Sequence, residues 1–449
     1  MEVHVPAQSV PVLEECDVLV CGGGCAGIAA AVSAARLGCS VVLLERWPSV
    51  GGMATNALVN GWHRSDREKV VIDGLVEESA QRAFTHDWIR LARNYPHVHE
   101  THWFDPEGMR IVWQRMLDEA GVRTYCNLVA GEPLAADGRI EGVLVDTKRG
   151  RRALLGSVVV DATGDGDVAA KAGIPFEYGR DEDGLVQGMT LIFLLRGVDE
   201  ATIQQRQDDI SAAMDRMVEL HRAGEMAPFN EGNTRGMFSY WGAANDVAWN
   251  MCPVAGNPLD EEELSRLTAT AREYLVQYLD FWREHVPGMA NARIAQTASA
   301  LGVRESRRVQ GLATLDEDMV LSAAKQPDAI GHGVWMVDIH DPRGSGYTTF
   351  TDRGGHNMLE TGTSYHIPLR MCLNGQVPNL AVVGRCASST HRALSSVRVQ
   401  THCMVMGQGV GTAAAMARDA GCDLADVDVG ALQAQLRSDG VYLEDVPAP

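Results

Sequence analysis

The chain has 449 residues, of which 45% are hydrophobic and 22% charged, a balance typical of a folded protein with roughly two or three domains. Its formal net charge of −20 argues against a nucleic-acid partner or an anionic membrane surface, because no basic field would attract either. We expect neither a signal peptide nor a membrane span, since residues 1–15 lack a long apolar core and no later run reaches ~18 apolar residues.

Residues 17–45 carry the pattern of a strand, a glycine turn, a helix and a second strand. Val18–Val20 predicts a buried parallel strand, Ile28–Leu37 a helix packed on it, and Ser40–Leu44 a second strand that ends at Glu45. In a dinucleotide site the glycines allow a tight turn, approach to a pyrophosphate and close helix–strand packing, while the acid binds ribose hydroxyls. The residues expected at this turn are Gly22, Gly24, Cys25, Ala26 and Gly27.

Ten cysteines are spread along the chain without any C-x-x-C pair. This spacing argues against zinc or iron–sulfur ligands and favours reduced thiols in a cytoplasmic protein. Cys21 and Cys25 flank the glycines, where we interpret them as small residues in a tight space rather than as a redox-active disulfide.

The segment 46–55 follows the second strand directly and extends the predicted site. Gly51 and Gly52 can let the backbone pass close to a cofactor, and Arg46 could meet its phosphate or adenine. An ordinary surface turn is the alternative, which the position after Glu45 makes the weaker interpretation. The further contacts expected in this segment are Met53, Ala54 and Thr55.

Residues 69–93 are predicted to form a helix, because apolar residues recur there on one stripe. The three histidines of the next segment, His97, His99 and His102, could bind a metal, but their spacing fits no standard helical site and we predict none. A helix from Asp105 to about Ala120 and a strand at 122–128 follow, and Val129 after this strand is a further expected cofactor contact.

Two turn signals, at 136–139 and 148–151, bracket a predicted strand at Ile140–Thr147 and indicate an antiparallel meander inserted into a parallel-sheet domain. The strand Val158–Val160 then runs into Asp-Ala-Thr-Gly-Asp at 161–165, which we interpret as a second cofactor contact. Its expected members are Ala162, Thr163, Gly164 and Asp165. Glycine allows close approach, and the last acid could accept from a hydroxyl or cap the following helix.

These motifs, in this order, resemble the FAD-dependent oxidoreductases, a group within the glutathione-reductase-like and fumarate-reductase-like flavoproteins. The later stretches 302–308 and 365–411 strengthen the resemblance, which covers nearly the whole chain. It implies FAD as cofactor and an α/β fold, a Rossmann-like FAD-binding domain with an inserted β-meander and a discontinuous α+β substrate cap domain. The expected boundaries are 1–175 and 363–449 for the FAD-binding domain and 176–362 for the cap.

Within the cap, helices are predicted at about 199–223 and 259–285, separated by an aromatic and glycine-rich segment at 237–253. Its Tyr240, Trp241 and Trp249 could line a pocket or fill the core of the cap, and we leave both interpretations open. A helix is also expected to place Arg304 and Arg308 on one face, with Arg304 near the active site. The alternative is a structural ion-pair network of Arg304, Arg307 and Arg308 with Glu305.

The C-terminal part returns the chain to the FAD-binding domain. A buried strand at Leu380–Val383 ends at Gly384 and Arg385, where most flavoproteins of this broad group have an acid that meets the ribityl chain. Because Arg385 stands in place of that acid, we expect backbone groups to contact the ribityl chain in this protein. Residues 396–417 are predicted to form a helix with a smooth glycine face. In similar enzymes the N-terminus of this helix, near Arg398 and Val399, points at the flavin pyrimidine.

The expected chemistry needs an acid or base beside the flavin. His391 is our first candidate and His366 the second, with Arg304 as a further catalytic residue. His63 is another candidate for the neighbourhood of the ring, including a covalent bond to the flavin. The chain has no second dinucleotide fingerprint and no paired-cysteine motif, so a built-in NAD(P)H domain is not expected.

We therefore interpret the protein as a dehydrogenase or reductase that moves a hydride between FAD and a small polar organic molecule. One alternative is fumarate-reductase-like reduction of an activated C=C bond, with Arg304 and Arg392 on a carboxylate. Others are a flavoprotein subunit of a larger redox complex and an RNA-modifying flavoprotein, against which the charge of −20 speaks. The electron acceptor and a homo-oligomeric state stay open.

Overall fold

A computed structural model describes residues 8–92, 101–229, 239–240, 246–343 and 357–448. The strands in this part of the chain are β1 (Val12–Cys21), β2 (Val41–Glu45), β3 (Gly61–His63), β4 (Ile89–Ala92), β5 (Thr101–Phe104), β6 (Arg123–Cys126), β7 (Pro133–Ala136), β8 (Arg139–Thr147), β9 (Gly150–Asp161), β10 (Phe176–Tyr178), β11 (Met189–Arg196), β12 (Ser239–Tyr240), β13 (Asp246–Val254), β14 (Arg293–Thr297), β15 (Arg307–Val309), β16 (Ala329–Gly333), β17 (Tyr365–Pro368) and β18 (Leu380–Val382). The helices are α1 (Cys25–Arg36), α2 (Met53–Asn56), α3 (Leu75–Phe84), α4 (Pro106–Glu119), α5 (Asp167–Lys171), α6 (Glu200–Gln205), α7 (Gln207–Arg222), α8 (Glu261–His285), α9 (Glu317–Leu321), α10 (His391–Val397), α11 (Gln400–Ala420) and α12 (Val429–Ser438).

A seven-stranded sheet organises the molecule, and its strands β6, β2, β1, β9 and β18 run parallel, with β6 at one edge. The strands β7 and β8 join β9 as an antiparallel meander on one edge. The first half of β9 pairs with β8 and its second half with β18, so the meander and the C-terminal strand share one side of β9. This arrangement confirms the Rossmann-like α/β fold with an inserted meander.

The helices α1 and α11 pack closely because glycine removes side chains from their contact. A Cβ atom on Gly407 would lie 2.0 Å from the carbonyl oxygen of Ala26, and one on Gly411 would lie 2.3 Å from that of Ala30. Gly409 points to the other side, where a Cβ atom would meet Ile330 of β16 at 2.6 Å. The expected smooth face therefore consists of two glycines one helical turn apart.

The second sheet is antiparallel, with the strand order β12-β13-β11-β14, and it packs with α6, α7 and α8 in an apolar core of its own. The helix α8 agrees with the prediction at 259–285, whereas the segment predicted at 199–223 forms two helices, α6 and α7, separated at Arg206. Trp249 stacks on Trp282 at 4.3 Å within this core, so the core interpretation is correct for Trp249. Trp241 and the side chain of Tyr240 lie outside the described residues.

The predicted domain boundaries stay predictions. Several side chains before residue 362 already pack in the core of the main sheet, together with residues of α1 and α11: Leu315, Val320, Ile330, Val337, Ile339 and Leu359. The separate core of the second sheet takes its members from Leu58 and from the segment 189–301. No helix among the described residues has the length and apolar composition to cross a membrane.

The helix predicted over 69–93 is shorter than expected. It begins at Leu75 and ends at Phe84, after which Asp87 adopts a φ of +57° and the chain turns back as β4. This reversal lets β4 pair with β5, so tertiary pairing overrides the apolar periodicity. His102 lies buried in β5, whereas His97 and His99 lie outside the described residues.

Two further helix predictions need correction. The helix expected over 396–417 is two helices, because Arg398 ends α10 and the extended backbone of Val399 (ψ 149°) caps α11. The segment with Arg304 and Arg308 is not helical, since β15 forms there and pairs with β10 through backbone hydrogen bonds. The helix α4, by contrast, begins as predicted, with the Asp105 carboxylate accepting from a backbone N–H of its first turn.

Candidate active site

A groove lies at the carboxyl ends of β1, β2 and β9, and we call it the glycine groove. Parallel sheets bind cofactors at this edge. The predicted residues that line it are Gly22, Gly24, Cys25, Ala26, Glu45, Arg46, Gly52, Met53, Ala54, Val129, Ala162, Thr163, Gly164, Gly384, Arg385 and Arg398. The lining residues that the sequence analysis missed are Leu44, Trp47, Leu128, Ala130, Asp167, Val383, Gln400 and Cys403.

The three fingerprint glycines meet different neighbours. Gly22 has a φ of +115°, and a Cβ atom there would lie 2.3 Å from the carbonyl oxygen of Ala162. A Cβ atom on Gly27 would lie 1.8 Å from the carbonyl oxygen of Gly22. A Cβ atom on Gly24 would meet nothing closer than 3.9 Å, and this residue lines the groove. The protein's own packing thus requires the first and third glycines, while the space beside the second is open and fits a diphosphate.

The Glu45 carboxylate is buried at the end of β2, where it accepts hydrogen bonds from the backbone N–H groups of Gly23 and Trp47, both at 2.8 Å. Burial raises the pKa of this carboxyl, and the two hydrogen bonds partly offset the effect. Each carboxylate oxygen keeps a further lone pair for a ribose hydroxyl. Arg46 lies beside it, half-exposed, with its guanidinium 5.5 Å from the Trp47 ring centre.

Four predicted contact residues lie behind the groove wall instead of on it: Gly27, Gly51, Thr55 and Asp165. The Thr55 hydroxyl donates to the carbonyl of Val50 at 2.9 Å, and a Cβ atom on Gly51 would lie 2.4 Å from the Thr55 side chain. These residues therefore shape the loop that carries Gly52. Val399 lines a second cavity, described below.

One of the two interpretations of Asp165 made it the cap of the following helix. The structure contradicts that interpretation. Gly166, at a φ of +66°, is the cap residue of α5, while Asp165 forms an ion pair with Arg385 and accepts from the Ser306 hydroxyl at 2.8 Å. Arg385 also donates to the carbonyl of Gly164 at 2.6 Å. The arginine that replaces the usual acid thus neutralises Asp165 and holds the turn at 162–165.

A second cavity, which we call the cap cavity, lies between the groove and the second sheet. Its wall includes Thr190 and Ile192 of β11 and Asn250 of β13. It shares four wall residues with the glycine groove, Met53, Arg385, Arg398 and Gln400. The two cavities therefore adjoin at the N-terminus of α11, where the first N–H groups and the helix dipole favour negative charge.

Besides Arg385, two guanidinium groups stand on the wall of the cap cavity. Arg304 donates to the Thr190 hydroxyl at 2.6 Å and to the carbonyl of Gly188 at 2.8 Å. Arg398 donates to the carbonyl of Asp338 at 3.1 Å and to the side-chain oxygen of Gln187 at 3.3 Å. Arg304 thus lines this cavity, and the expectation that it lies near the active site stays a prediction.

An imidazole and a carboxylate face each other on the same wall, with His340 Nε2 lying 3.5 Å from Asp338 Oδ2. Burial opposes ionisation of Asp338, but His340, Arg398 and Arg304 outweigh it and hold the pKa of this carboxyl well below its usual range. Burial and the nearby Arg304 lower the pKa of His340 to about 4. At neutral pH the pair is therefore a neutral imidazole beside a carboxylate.

His63 lines the cap cavity, and its ring stacks on Trp335 at 3.7 Å. Burial and the nearby His402 lower the pKa of His63 to about 3, so this imidazole is neutral near pH 7. The expectation that His63 lies in the neighbourhood of the flavin ring stays a prediction. A covalent bond to the flavin stays a prediction.

His391, the first catalytic candidate, lines neither cavity. It begins α10, and its Nδ1 lies 2.8 Å from Glu305, which is fully buried. Glu305 also pairs with buried Arg308 and accepts from the backbone N–H of Gln187 at 2.9 Å. The ion-pair interpretation is therefore correct for Arg308. Among the described residues, His391 is linked to the cap cavity through Glu305 and Gln187, whose side-chain oxygen accepts from Arg398.

His366, the second candidate, is fully buried in β17, away from the walls of both cavities. Its Nδ1 accepts from the backbone N–H of Gln326 at 3.0 Å, and its Nε2 lies 3.0 Å from the carbonyl oxygen of Glu444. Both ring nitrogens thus bind backbone groups and tie the C-terminal segment to the sheet. This position contradicts the expectation that His366 acts beside the flavin.

The sequence analysis missed the polar residues of the cap cavity, above all Asp338 and His340. They alternate with Val337 and Ile339, so a period-two pattern at 337–340 was available as a signal. Three further polar wall residues that the sequence analysis missed, Asn60, Thr190 and Asn250, come from separate segments and carry no shared motif. Among the described residues, no group of three or more side chains could hold a metal ion.

Five histidines with strongly lowered pKa values should make the fold sensitive to acid. Burial lowers the pKa of His63, His332 and His402 to about 3 and that of His102 and His340 to about 4. An unfolded histidine binds its proton near pH 6.5, so unfolding takes up protons between that value and the folded pKa. The contribution of these histidines to the free energy of unfolding is complete above about pH 6.5. It decreases as pH falls, by at most about 1.4 kcal/mol per histidine and pH unit.

We therefore expect the urea midpoint of unfolding to fall steadily from pH 7 to pH 5. Replacing the buried His332 with glutamine should make this pH dependence shallower, whereas replacing the exposed His285 should leave it unchanged. A midpoint that does not vary over this range would contradict the expectation.

Comparison with known proteins identifies a family that covers nearly the whole chain. Residues 17–436 match the family model described as FAD dependent oxidoreductase. Over 80 residues the chain is 38% identical to the tRNA uridine 5-carboxymethylaminomethyl modification enzyme MnmG of Dichelobacter nodosus, a match that covers 17% of this chain and only 12% of that enzyme.

Two solved structures show similarity along most of the chain. A geranylgeranyl bacteriochlorophyll reductase-like protein from Thermoplasma acidophilum has 13% identity and a TM-score of 0.45, with 95% of this chain and 83% of that protein covered. The anhydrotetracycline hydroxylase OxyS from Streptomyces rimosus has 12% identity and a TM-score of 0.47, with 94% and 66% covered. The family model, which spans nearly the whole chain, shows that the protein belongs to the FAD dependent oxidoreductases, a family of enzymes with FAD as cofactor.

Proposed function

We propose that this enzyme transfers a hydride between FAD in the glycine groove and a small polar organic molecule in the cap cavity. The observation that carries the proposal is the junction of the two cavities at Met53, Arg385, Arg398 and Gln400. A molecule in the cap cavity would lie next to whatever occupies this end of the groove. Bound FAD supplies the two-electron chemistry, while the protein orients the substrate and handles the proton.

In this proposal the diphosphate lies at the N-terminus of α1, beside the open space at Gly24. Glu45 accepts from the ribose hydroxyls, and the reactive ring lies at the N-terminus of α11. The other groove residues, including Thr163, Gly164 and Gly384, supply backbone contacts. The segment 176–362 supplies much of the cap that closes over the ring, through Thr190, Ile192 and Asn250.

Anaerobic reduction of the bound flavin tests this proposal. Purified enzyme is mixed without oxygen with alcohols, hydroxy acids, amines and sugars, and the loss of flavin absorbance is followed over time. We expect at least one small polar compound to bleach the flavin within a catalytic time. If none does, while NAD(P)H reduces the flavin and oxygen then yields a hydroxylated product, the enzyme is a monooxygenase and the proposal fails.

Reduction of an activated C=C bond is the second candidate, because Arg304 and Arg398 both stand on the cavity wall and suit a carboxylate. Arg392, which the sequence analysis chose for this role, lies on neither wall and pairs with Glu317 at 3.7 Å. Chemically reduced enzyme separates the two candidates. Rapid reoxidation by an unsaturated dicarboxylate, with no bleaching by any reduced compound, would favour the second.

The tRNA-modifying relative leads us to no RNA proposal. That match covers 17% of the chain, and the net charge of −20 offers no field that would attract a phosphate backbone. A redox-complex subunit would need its partner for turnover. Steady turnover by the purified chain with an artificial electron acceptor would exclude that alternative.

A further inference from the structure

Asp165 lies between two arginines that line the glycine groove. It forms an ion pair with Arg385, which follows β18, and its Oδ2 lies 3.6 Å from Nη1 of Arg46, which follows β2. The Asp165 side chain is only 10% exposed and lies behind the groove wall, whereas both arginines belong to that wall. One buried carboxylate therefore holds two guanidinium groups at the proposed cofactor site.

The sheet topology places the contact between Arg46 and Asp165 across the glycine turn. Cys21 of β1 pairs with Leu44 of β2 on one side and with Asp161 of β9 on the other. Neighbouring strands lie about 4.8 Å apart, so the ends of β2 and β9 are separated by about 10 Å. The Arg46 side chain therefore reaches over the end of β1, where the glycine turn begins. The proposed binding mode puts the diphosphate of FAD at this turn.

Arg385 is fixed on three sides and keeps further donors. Its Nε donates to the carbonyl of Gly164 at 2.6 Å, its Nη1 to the carbonyl of Val303 and its Nη2 to Asp165. A guanidinium has five N–H groups, so these three bonds within the described part of the chain leave one N–H on each Nη atom. Because Arg385 lines both cavities, the two N–H groups can donate to a molecule that extends from one cavity into the other.

The order of the strands gives the two arginines different parts of the cofactor. Glu45, the proposed partner of the adenosine ribose, ends β2, while β18 lies on the far side of β9. A dinucleotide that extends from Glu45 over the glycine turn meets Arg46 at the turn and Arg385 beyond it. The N-terminus of α11, where we propose the ring, adjoins the same junction as Arg385.

We propose that Arg46 and Arg385 are the side-chain donors to the linker of FAD, and that Asp165 positions both of them. Arg46 donates to the diphosphate, and Arg385 donates to the ribityl oxygens between the diphosphate and the ring. A guanidinium suits this task because it forms charge-assisted hydrogen bonds with phosphate oxygens. This inference rests on the proposed location of FAD. Its tests measure binding alone, so a failure of the proposed hydride transfer would leave them unaffected.

Titration of the FAD-free enzyme with FAD and with ADP tests the role of Arg385. ADP contains the adenosine and the diphosphate but no ribityl chain. Replacing Arg385 with methionine should weaken FAD binding by about tenfold or more, the usual effect of losing a hydrogen bond from a charged group. The same variant should bind ADP as the wild type does. Equal losses for both ligands, or an unchanged affinity for FAD, would overturn the ribityl assignment.

The same two ligands and added salt test the role of Arg46. Arg46→Met should weaken FAD and ADP alike, by about tenfold or more. The Arg46 side chain is 40% exposed, so KCl should weaken FAD binding by the wild type and weaken it less in Arg46→Met. Arg151→Met, which removes an arginine paired with exposed Asp146 on the meander, should leave both affinities and the salt dependence unchanged. An unchanged salt dependence in Arg46→Met would overturn the diphosphate assignment.

The sign of the effect at Asp165 separates positioning from simple charge. If this carboxylate acts only through its charge, its removal beside an anionic ligand should strengthen binding. Positioning predicts the opposite, because Arg46 and Arg385 lose their common partner. Asp165→Ala should therefore weaken FAD binding by about tenfold or more, whereas Asp165→Asn, which keeps one acceptor oxygen, should restore most of the affinity. Asp146→Ala serves as the surface control. Tighter or unchanged FAD binding by Asp165→Ala would show that Asp165 positions neither arginine.

Discussion

Replacing Gly27 with alanine is expected to yield a colourless protein that retains no FAD and unfolds at lower denaturant concentration. The added Cβ atom would lie 1.8 Å from the carbonyl oxygen of Gly22 and 3.0 Å from its carbonyl carbon. Both neighbours are backbone atoms, so α1 must move away from β1. We expect a cost of about 3 kcal/mol or more in the free energy of unfolding, at the upper end for overpacked sites.

Alanine at Gly24 provides the matched comparison. Its Cβ atom would have no protein atom closer than 3.9 Å, so the fold should tolerate it to within about 0.5 kcal/mol. The methyl group would instead fill the space proposed for the diphosphate and weaken FAD binding at least tenfold. Flavin absorbance, FAD titration and urea unfolding of the FAD-free protein measure these effects. The Gly375→Ala variant, with a nearest side-chain atom at 3.6 Å, should leave all three unchanged.

The outcome for Gly24→Ala is the sharper test of the cofactor position. If this variant binds FAD as tightly as the wild type, the diphosphate does not lie beside Gly24. If the FAD-free Gly24→Ala protein loses as much free energy of unfolding as Gly27→Ala, the space beside Gly24 is not open as described.

Replacing Glu305 with alanine is expected to lower the free energy of unfolding by about 3–5 kcal/mol. The Glu305 side chain is fully buried and pairs with Arg308, of which 3% is exposed. Without it, the Arg308 guanidinium keeps only Glu177, a largely exposed partner at 3.2 Å, as a counter-charge. The backbone N–H of Gln187 and the His391 imidazole lose their acceptor in the same variant.

Denaturant unfolding measures this effect, and Glu219 supplies its control. Glu219 pairs with Arg216 at 2.9 Å on the surface, where both side chains are mostly exposed. Its replacement with alanine should cost less than about 1 kcal/mol. A loss of similar size for Glu305→Ala would show that the buried network contributes no more than a surface ion pair.

The FAD-binding part of the fold could be predicted from the sequence because its signals are local. The strand, glycine turn, helix and terminal acid of 17–45 lie within one continuous segment. Each of these features requires its residue type for one physical reason. The meander was predicted for the same reason, since turn residues bracket β8 on both sides. Local pattern and final structure agree at these places.

Predictions failed where distant pairing decides the structure. The arginine spacing at 304–308 suits a helix, but the partner strand β10 lies more than a hundred residues earlier and imposes β15. The cap cavity shows the same limit, because Asn60, Thr190, Asn250 and His340 meet only after folding. His391 and His366 were chosen for their nearness to the flavin-binding segments in sequence, which does not determine where a side chain points.

The close crossing of α1 and α11 has a consequence for how the enzyme is made in the cell. These helices meet through Gly407 and Gly411, so the floor of the cofactor site joins the beginning of the chain to its end. At about 5–20 residues per second, a ribosome finishes α11 roughly 20–80 s after α1. We expect nascent chains to capture FAD only near the end of translation, so premature termination before α11 would leave a product unable to take up the cofactor.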